Sequence, residues 1–189
     1  MSLGLGVSIF FIFANAATHA LATSAINSSV LRPWTGSHLP EFSLKDVGGK
    51  SLDLSDYRGQ PVLVHFFATW CEPCRPEMQA LERLAQHPDA EALRIISISV
   101  NEPASRVRRF LEKTPVGFPV LLDENRTASR TWSVDLLPTT YILDADLTPR
   151  FHVEHDVEWD HVDILEILNV LTTRSGAPQT KPSPSATIR

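Results

Sequence analysis

Cysteine is scarce in this chain: 189 residues contain two, Cys71 and Cys74, set two residues apart in Phe66-Phe67-Ala68-Thr69-Trp70-Cys71-Glu72-Pro73-Cys74. Two cysteines cannot build the framework of staples on which small secreted domains rely, so the pair has another task. A purely structural disulfide is a poor account of it, because so short a closed loop removes little entropy from the unfolded chain. Zinc is a poor account too, since two thiolates half fill a tetrahedral site and no second Cys-x-x-Cys exists. His152, His155 and His161 could be nominated as further ligands, but their spacing fits no standard finger pattern. Charge is missing as well: no Lys, Arg, Asp or Glu precedes Arg32, and no run of like charge follows. With a net charge of -5, nothing in the chain asks for nucleic acid or for a polybasic membrane contact.

What is present is ordinary globular material, 43% hydrophobic and 21% charged, enough to bury the core of one domain. The uncharged opening carries an apolar stretch over 3–13 that shades into small residues, and residues 1–25 read as a signal peptide or an N-terminal membrane anchor. Ala14-Asn15-Ala16 and His19-Ala20-Leu21-Ala22 offer cleavage-like spacing, and residues 3–22 could cross a bilayer at ~1.5 Å per residue. Asn15, Thr18 and His19 weigh against the spanning form, and the absent basic flank against both. Residues 26–37 read as a linker, 38–173 as the folded domain, and the Pro/Ser-rich 174–189 as a disordered tail.

Within the domain, strand-like and helix-like patterns alternate with no detectable repeat, the mark of an α/β protein. Phe42-Ser43-Leu44 and Ser51-Leu52-Asp53-Leu54 alternate around Val47-Gly48-Gly49-Lys50 and predict a hairpin. The apolar run 62–67 predicts a strand buried on both faces, and the helix after it starts near Pro73, with Met78, Leu81 and Leu84 at helical spacing. A second buried strand over 93–100, a helix over 105–113, a short strand over 120–122 and a short helix over 126–132 follow. Two strands flanking Asp144-Ala145-Asp146 predict an antiparallel hairpin at the sheet edge. Trp159, Val162, Ile164, Leu165, Leu168 and Leu171 predict a last amphipathic helix.

On this reading Cys71 ends a buried strand and Cys74 lies in the first turn of a helix, where unpaired N–H groups and the positive end of the helix dipole stabilise a thiolate. Cys71, nearer the edge, is the expected nucleophile, and Cys74 the residue that resolves a mixed disulfide. Pro138, in Leu136-Leu137-Pro138-Thr139-Thr140, stands directly before a strand, where a cis Leu137–Pro138 bond or an ordinary trans proline are both open. A cis bond packed over the cysteines would leave adjacent main chain to pair with a substrate segment as an added strand.

The order of elements, with Trp70-Cys71-Glu72-Pro73-Cys74 and Leu137-Pro138-Thr139-Thr140, resembles the membrane-tethered extracytoplasmic reductases of the TlpA/ResA/CcmG group, within the AhpC/TSA-redoxin superfamily. The resemblance covers about 39–171. It implies a thioredoxin-like fold, a central mixed sheet flanked by helices with an added N-terminal β-hairpin, and a cis Pro138 with Leu137 and Thr139 beside it in the substrate groove. It also implies a periplasmic or extracytoplasmic reductase of disulfides in exported proteins, apocytochrome c or copper-site thiols among them, re-reduced by a membrane thiol donor. No cofactor beyond the Cys71–Cys74 pair and no metal is expected, and a monomer is the expected state.

Glu77 lies one helical turn beyond Cys74, where a partly buried carboxyl with a raised pKa could exchange a proton with it; a first-turn Glu favoured by the dipole is the plainer alternative. ResA-like proteins carry a functional Glu at this spacing. Glu102 fits a second acidic position of the group, or caps the following helix. Glu72, between the cysteines, disfavours a neighbouring thiolate and so favours the disulfide, which makes the dithiol the better reductant. Trp70 either shields the sulfurs or packs in the core, Pro73 starts the helix, and Arg106, Arg108 and Arg109 read as a solvated helix face. Three other functions stand against reduction: an oxidase or isomerase of the same fold, a Sco-like copper chaperone, which would use Cys-x-x-x-Cys, and a peroxiredoxin, whose P-x-x-x-T-x-x-C pattern is absent.

Overall fold

The computed structural model describes residues 31–160 together with Leu165, Leu168 and Leu171. The export segment and the Pro/Ser-rich tail lie outside these residues. The strands are β1 (Arg32–Pro33), β2 (Ser43–Asp46), β3 (Ser51–Asp53), β4 (Val62–Phe67), β5 (Arg94–Val100), β6 (Val120–Asp123), β7 (Thr139–Leu143) and β8 (Pro149–Val153). The helices are α1 (Cys74–Ala85), α2 (Ala104–Leu111) and α3 (Thr127–Thr131). One mixed sheet runs in the order β1-β8-β7-β4-β5-β6-β2-β3. Its centre is parallel, β4 with β5 and β5 with β6, and the flanks are antiparallel.

The central strands are continuous apolar runs because both faces are covered. Alternation along β4 sends Leu63 and Phe67 into a core shared with α1, α2, Leu165, Leu168 and Leu171, and sends Val62, Val64 and Phe66 into a second core with Phe42, Leu54 and Trp132. Trp132 is fully buried and donates its indole N–H to the Pro40 carbonyl at 2.8 Å, which satisfies its one polar atom. Asp123 closes the start of α3, its carboxylate accepting from the Ala128 and Ser129 amides. The β2–β3 hairpin joins the sheet through β2 and β6, with Lys45 opposite Leu122. Gly49, at φ +92, supplies the left-handed turn between the two strands.

Two expectations are corrected here. The stretch read as a linker over 26–37 contributes a strand: Arg32 and Pro33 pair with His152 and Phe151, and the Trp34 amide donates to the Arg150 carbonyl at 2.8 Å. Leu31 is buried, and Trp34 meets the rings of Tyr141 and His152 edge-on, so packing holds a polar, proline-containing strand that pattern does not reveal. For the same reason β7 and β8 do not form the sheet edge, because β1 covers β8.

Candidate active site

Strand β4 ends at Phe67, and the chain then turns through Ala68 to Pro73 before α1 begins at Cys74. Cys71 therefore sits in this turn, its amide bonded to the Ala68 carbonyl at 3.1 Å, rather than at the strand end that the apolar run predicts. Pro73 caps α1, and Pro76 is tolerated at the third helical position because first-turn N–H groups have no partner within the helix. Cys71 and Cys74 are joined as a disulfide across this helix start. Cys74 is fully buried, whereas Cys71 keeps 6% of its surface. That asymmetry gives a partner access to one sulfur and leaves the other to act only from within.

Beside the pair, Trp70 is 68% exposed and Leu136 58% exposed, against the habit of large apolar side chains. Core packing of Trp70 is thereby excluded. Both line one cavity of about 370 Å³ with Val100, Asn101, Arg126, Val134, Asp135 and Leu137. Leu137 also packs against the core cluster that holds Cys71 and Cys74. The Leu137–Pro138 bond is cis. Pro138 is buried, and Thr139 is fixed by its hydroxyl, which donates to the Leu136 carbonyl at 2.8 Å. Glu72 and Pro73 are exposed on the turn.

Glu102 does not reach the sulfurs by any direct contact. Its carboxylate is buried and accepts from the Thr69 amide at 2.7 Å, the Thr69 hydroxyl at 2.6 Å and the Ser99 hydroxyl at 3.0 Å. It thus fastens the residue before Trp70 to the end of β5, and Thr69 and Ser99 are members of the site that spacing alone does not single out. Arg106 approaches the same carboxylate at 3.7 Å, and Arg108 donates to the Val47 carbonyl, tying the exposed face of α2 to the β2–β3 hairpin. Glu102→Gln keeps one acceptor oxygen and loses the charge, and both hydroxyls can rotate to receive the new amide. The expected cost is about 1 kcal/mol in urea unfolding, and an unchanged midpoint would show that the brace is dispensable.

Glu77 is where the buried chemistry gathers. Its side chain is 2% exposed, on α1 one turn beyond Cys74. One oxygen accepts from the Trp159 indole N–H at 2.6 Å, and the other makes no hydrogen bond of normal geometry. Burial pushes the carboxyl up to about 8; the Trp159 bond pulls down, Asp156 adds upward pressure, and the nearby Val157 backbone offsets a little. Trp159, expected on the last helix, lies in the turn before it and seals this carboxyl instead. His65, on β4 and fully buried, stands with Nδ1 3.8 Å from Glu77 Oε1 and 2.9 Å from the Thr140 hydroxyl. Burial lowers its pKa to about 3, so at neutral pH the two groups are both uncharged and form no ion pair. His65, Thr140 and the role of Trp159 escape sequence reasoning, since a histidine inside an apolar run reads as one more strand residue.

Among the described residues no cluster of three or more His, Cys, Asp or Glu side chains is placed to hold a metal ion. Of the three histidines considered as ligands, His152 stacks on Tyr141, His155 bonds the Asp156 carbonyl, and His161 lies outside the described residues.

A mixed sheet with flanking helices, a Cys-x-x-Cys disulfide at a helix start and a proline loop beside it define a thioredoxin-fold protein. The chain belongs to the AhpC/TSA family, whose sequence pattern matches residues 35–151. It is similar to the thiol-disulfide oxidoreductase ResA of Bacillus subtilis, 35% identical over 111 residues that cover 59% of this chain and 62% of that one. It is also similar to the thioredoxin-like protein YneN of the same organism, 39% identical over 58% of this chain and 65% of that one. The chain thus spans less than two thirds of the length of these curated relatives. Among solved structures, a secreted thiol-disulfide isomerase from Corynebacterium glutamicum superposes with a TM-score of 0.64 at 19% identity, covering 76% of this chain and 94% of that one. At that identity the likeness speaks for the fold.

Proposed function

We propose that this protein is a thiol–disulfide oxidoreductase working as a reductase on disulfides of exported proteins. The observation that carries this is the asymmetric pair: a slightly accessible Cys71 and a sealed Cys74, disulfide-linked at the start of α1 beside an exposed Trp70 and Leu136. In the dithiol form the Cys71 thiolate attacks one sulfur of a partner's disulfide, forming a mixed disulfide and releasing one partner thiolate. Cys74 then loses its proton and attacks Cys71, which restores the Cys71–Cys74 bond and releases the second partner thiolate. Two electrons pass to the partner, and a thiol donor must return them. The groove between Trp70 and the Leu136–Leu137 loop offers apolar surface with little side-chain selectivity, suited to an extended segment carrying a disulfide.

The apolar opening of the chain and the relatives' likeness support a site of action outside the cytoplasm, with tethering by the N-terminal segment. No helix among the described residues is long and apolar enough to cross a membrane. Apocytochrome c and copper-site thiols are the substrates to test first, with a membrane thiol protein as donor and the chain working as a monomer.

The test is the reduction potential of the full-length protein, equilibrated in defined thiol buffers and read by the fluorescence of Trp70, adjacent to Cys71. A value near ~-270 mV is expected for a reductant. A value near the ~-120 mV of a strong oxidant would reverse the direction and favour an oxidase of the same fold.

A further inference from the structure

The groove beside the disulfide is mostly apolar, but one of its side chains carries a charge that nothing balances. Arg126 lines the same cavity of about 370 Å³ as Trp70, Leu136 and Leu137. It is half-buried; its Nε is enclosed without a hydrogen-bond partner, and among the described residues no hydrogen bond or ion pair reaches its guanidinium. A cation partly shut off from water and unpaired has lost hydration without compensation, and an arriving anion makes good that loss. The polar groups nearby in sequence are engaged elsewhere. Asp123 commits both carboxylate oxygens to the Ala128 and Ser129 amides, and Asn125 accepts from Thr127. The turn is also firmly built, because the Asp123 carbonyl accepts from the amides of both Asn101, at 3.0 Å, and Arg126, at 3.1 Å, which ties it to the end of β5. Asn101 and Arg126 hold left-handed backbone, φ +59 and +61, a conformation that suits glycine better than arginine. A glycine would meet the need of the turn, so the turn does not account for an arginine.

We propose that Arg126 is a specificity-determining residue of the groove: it takes the carboxylate of an Asp or Glu side chain from the partner segment lying there, so that partners with an acidic residue close to their disulfide are preferred. Guanidinium suits this ligand because its planar set of N–H donors can meet both carboxylate oxygens at once. The half-buried setting strengthens such a contact over one on open surface, where exposed ion pairs contribute little. Asp135 lines the same cavity and would favour a basic residue instead. Its side chain is exposed and hydrated, so a cation arriving there gains little. Asp135 and the exposed Glu72 act on an acidic segment by repulsion, and Arg126 is the one cation in the cavity lining, so the carboxylate is received at a single place.

This subsite rests on the thiol–disulfide exchange proposed above, and one experiment separates the two. Full-length dithiol protein is mixed with short peptides, each closed by a disulfide between its own cysteines, in which Glu, Gln or Lys stands in turn at every position flanking a cysteine. Single-turnover rates are read by mass spectrometry of the peptide thiols after acid quench. At one or more flanking positions the Glu peptide is expected to react about fivefold faster than its Gln counterpart, the difference shrinking as added salt screens the pair. Arg126→Gly, which fits the backbone at φ +61 without strain, is expected to bring the Glu to Gln ratio to one. Asp135→Asn is expected to keep the acid preference. A ratio near one at every position in the parent, a ratio that survives Arg126→Gly, or a preference for Lys that Asp135→Asn removes would overturn the assignment and leave the exchange chemistry standing. A parent that reduces none of the peptides overturns the exchange reading and the subsite with it. Should Arg126→Gly fail to fold, Arg126→Gln takes its place with the same expectation.

Discussion

Cys71→Ser is expected to reduce turnover of any protein disulfide to the uncatalysed background, whereas Cys74→Ser is expected to complete the first attack and then stop, covalently joined to its partner. The contrast follows from burial. Cys71 is the sulfur with exposed surface, beside a cavity walled by Trp70 and Leu136, so removing it removes the nucleophile. Cys74 is sealed behind it, so no partner reaches it directly, and its loss deletes only the release step. Non-reducing electrophoresis of extracts from cells that export Cys74→Ser reads the outcome as partner bands that collapse on reduction. The double variant Cys71→Ser with Cys74→Ser should show none. If Cys71→Ser trapped partners and Cys74→Ser did not, the roles of the two sulfurs would be exchanged; if neither did, exchange with proteins would not be the function.

How far such a site can be read from sequence depends on how its members are brought together. Cys71, Cys74 and Glu77 lie on one turn and one helix, so spacing alone sets them on neighbouring positions, and Pro138 announces itself by standing before a strand. His65 and Thr140 are 75 residues apart and meet because the β4–β7 register places them opposite each other. Trp159 reaches Glu77 across 82 residues, and nothing in an amphipathic pattern distinguishes an indole that packs from one that also donates a hydrogen bond. The short strand β1 shows the same limit from the fold side: Arg-Pro is a poor strand signal, and the packing of Leu31 and Trp34 overrides it. Trp70 is legible as an aromatic beside the motif, but its exposure is a property of the turn that carries it.

Folding stability of the oxidised protein is expected to be greatest on the acid side of neutrality, and to fall by about 2 kcal/mol between pH 6.5 and 8. In this form the cysteines do not titrate, which leaves the two buried neutral groups in control. Glu77 is raised from 4.5 to about 8, so the native state binds the extra proton over that window, and the stability this provides is lost as pH rises through it. His65 is lowered from 6.5 to about 3, so the unfolded chain binds the extra proton there, and stability is lost as pH falls through that window. Between 4.5 and 6.5 the two slopes oppose and cancel, which gives a plateau. Among the described residues only Glu77 acts between 6.5 and 8, at about 1.4 kcal/mol per pH unit, and only His65 acts below 4.5, with the opposite sign. Urea midpoints taken at a constant m-value trace the curve. Glu77→Gln, which keeps an oxygen for the Trp159 indole, should remove the alkaline limb and leave the acid one, and His65→Asn should do the reverse. An alkaline limb that survived Glu77→Gln would mean that some other group holds the proton, and that the buried carboxyl is ionised in the native state.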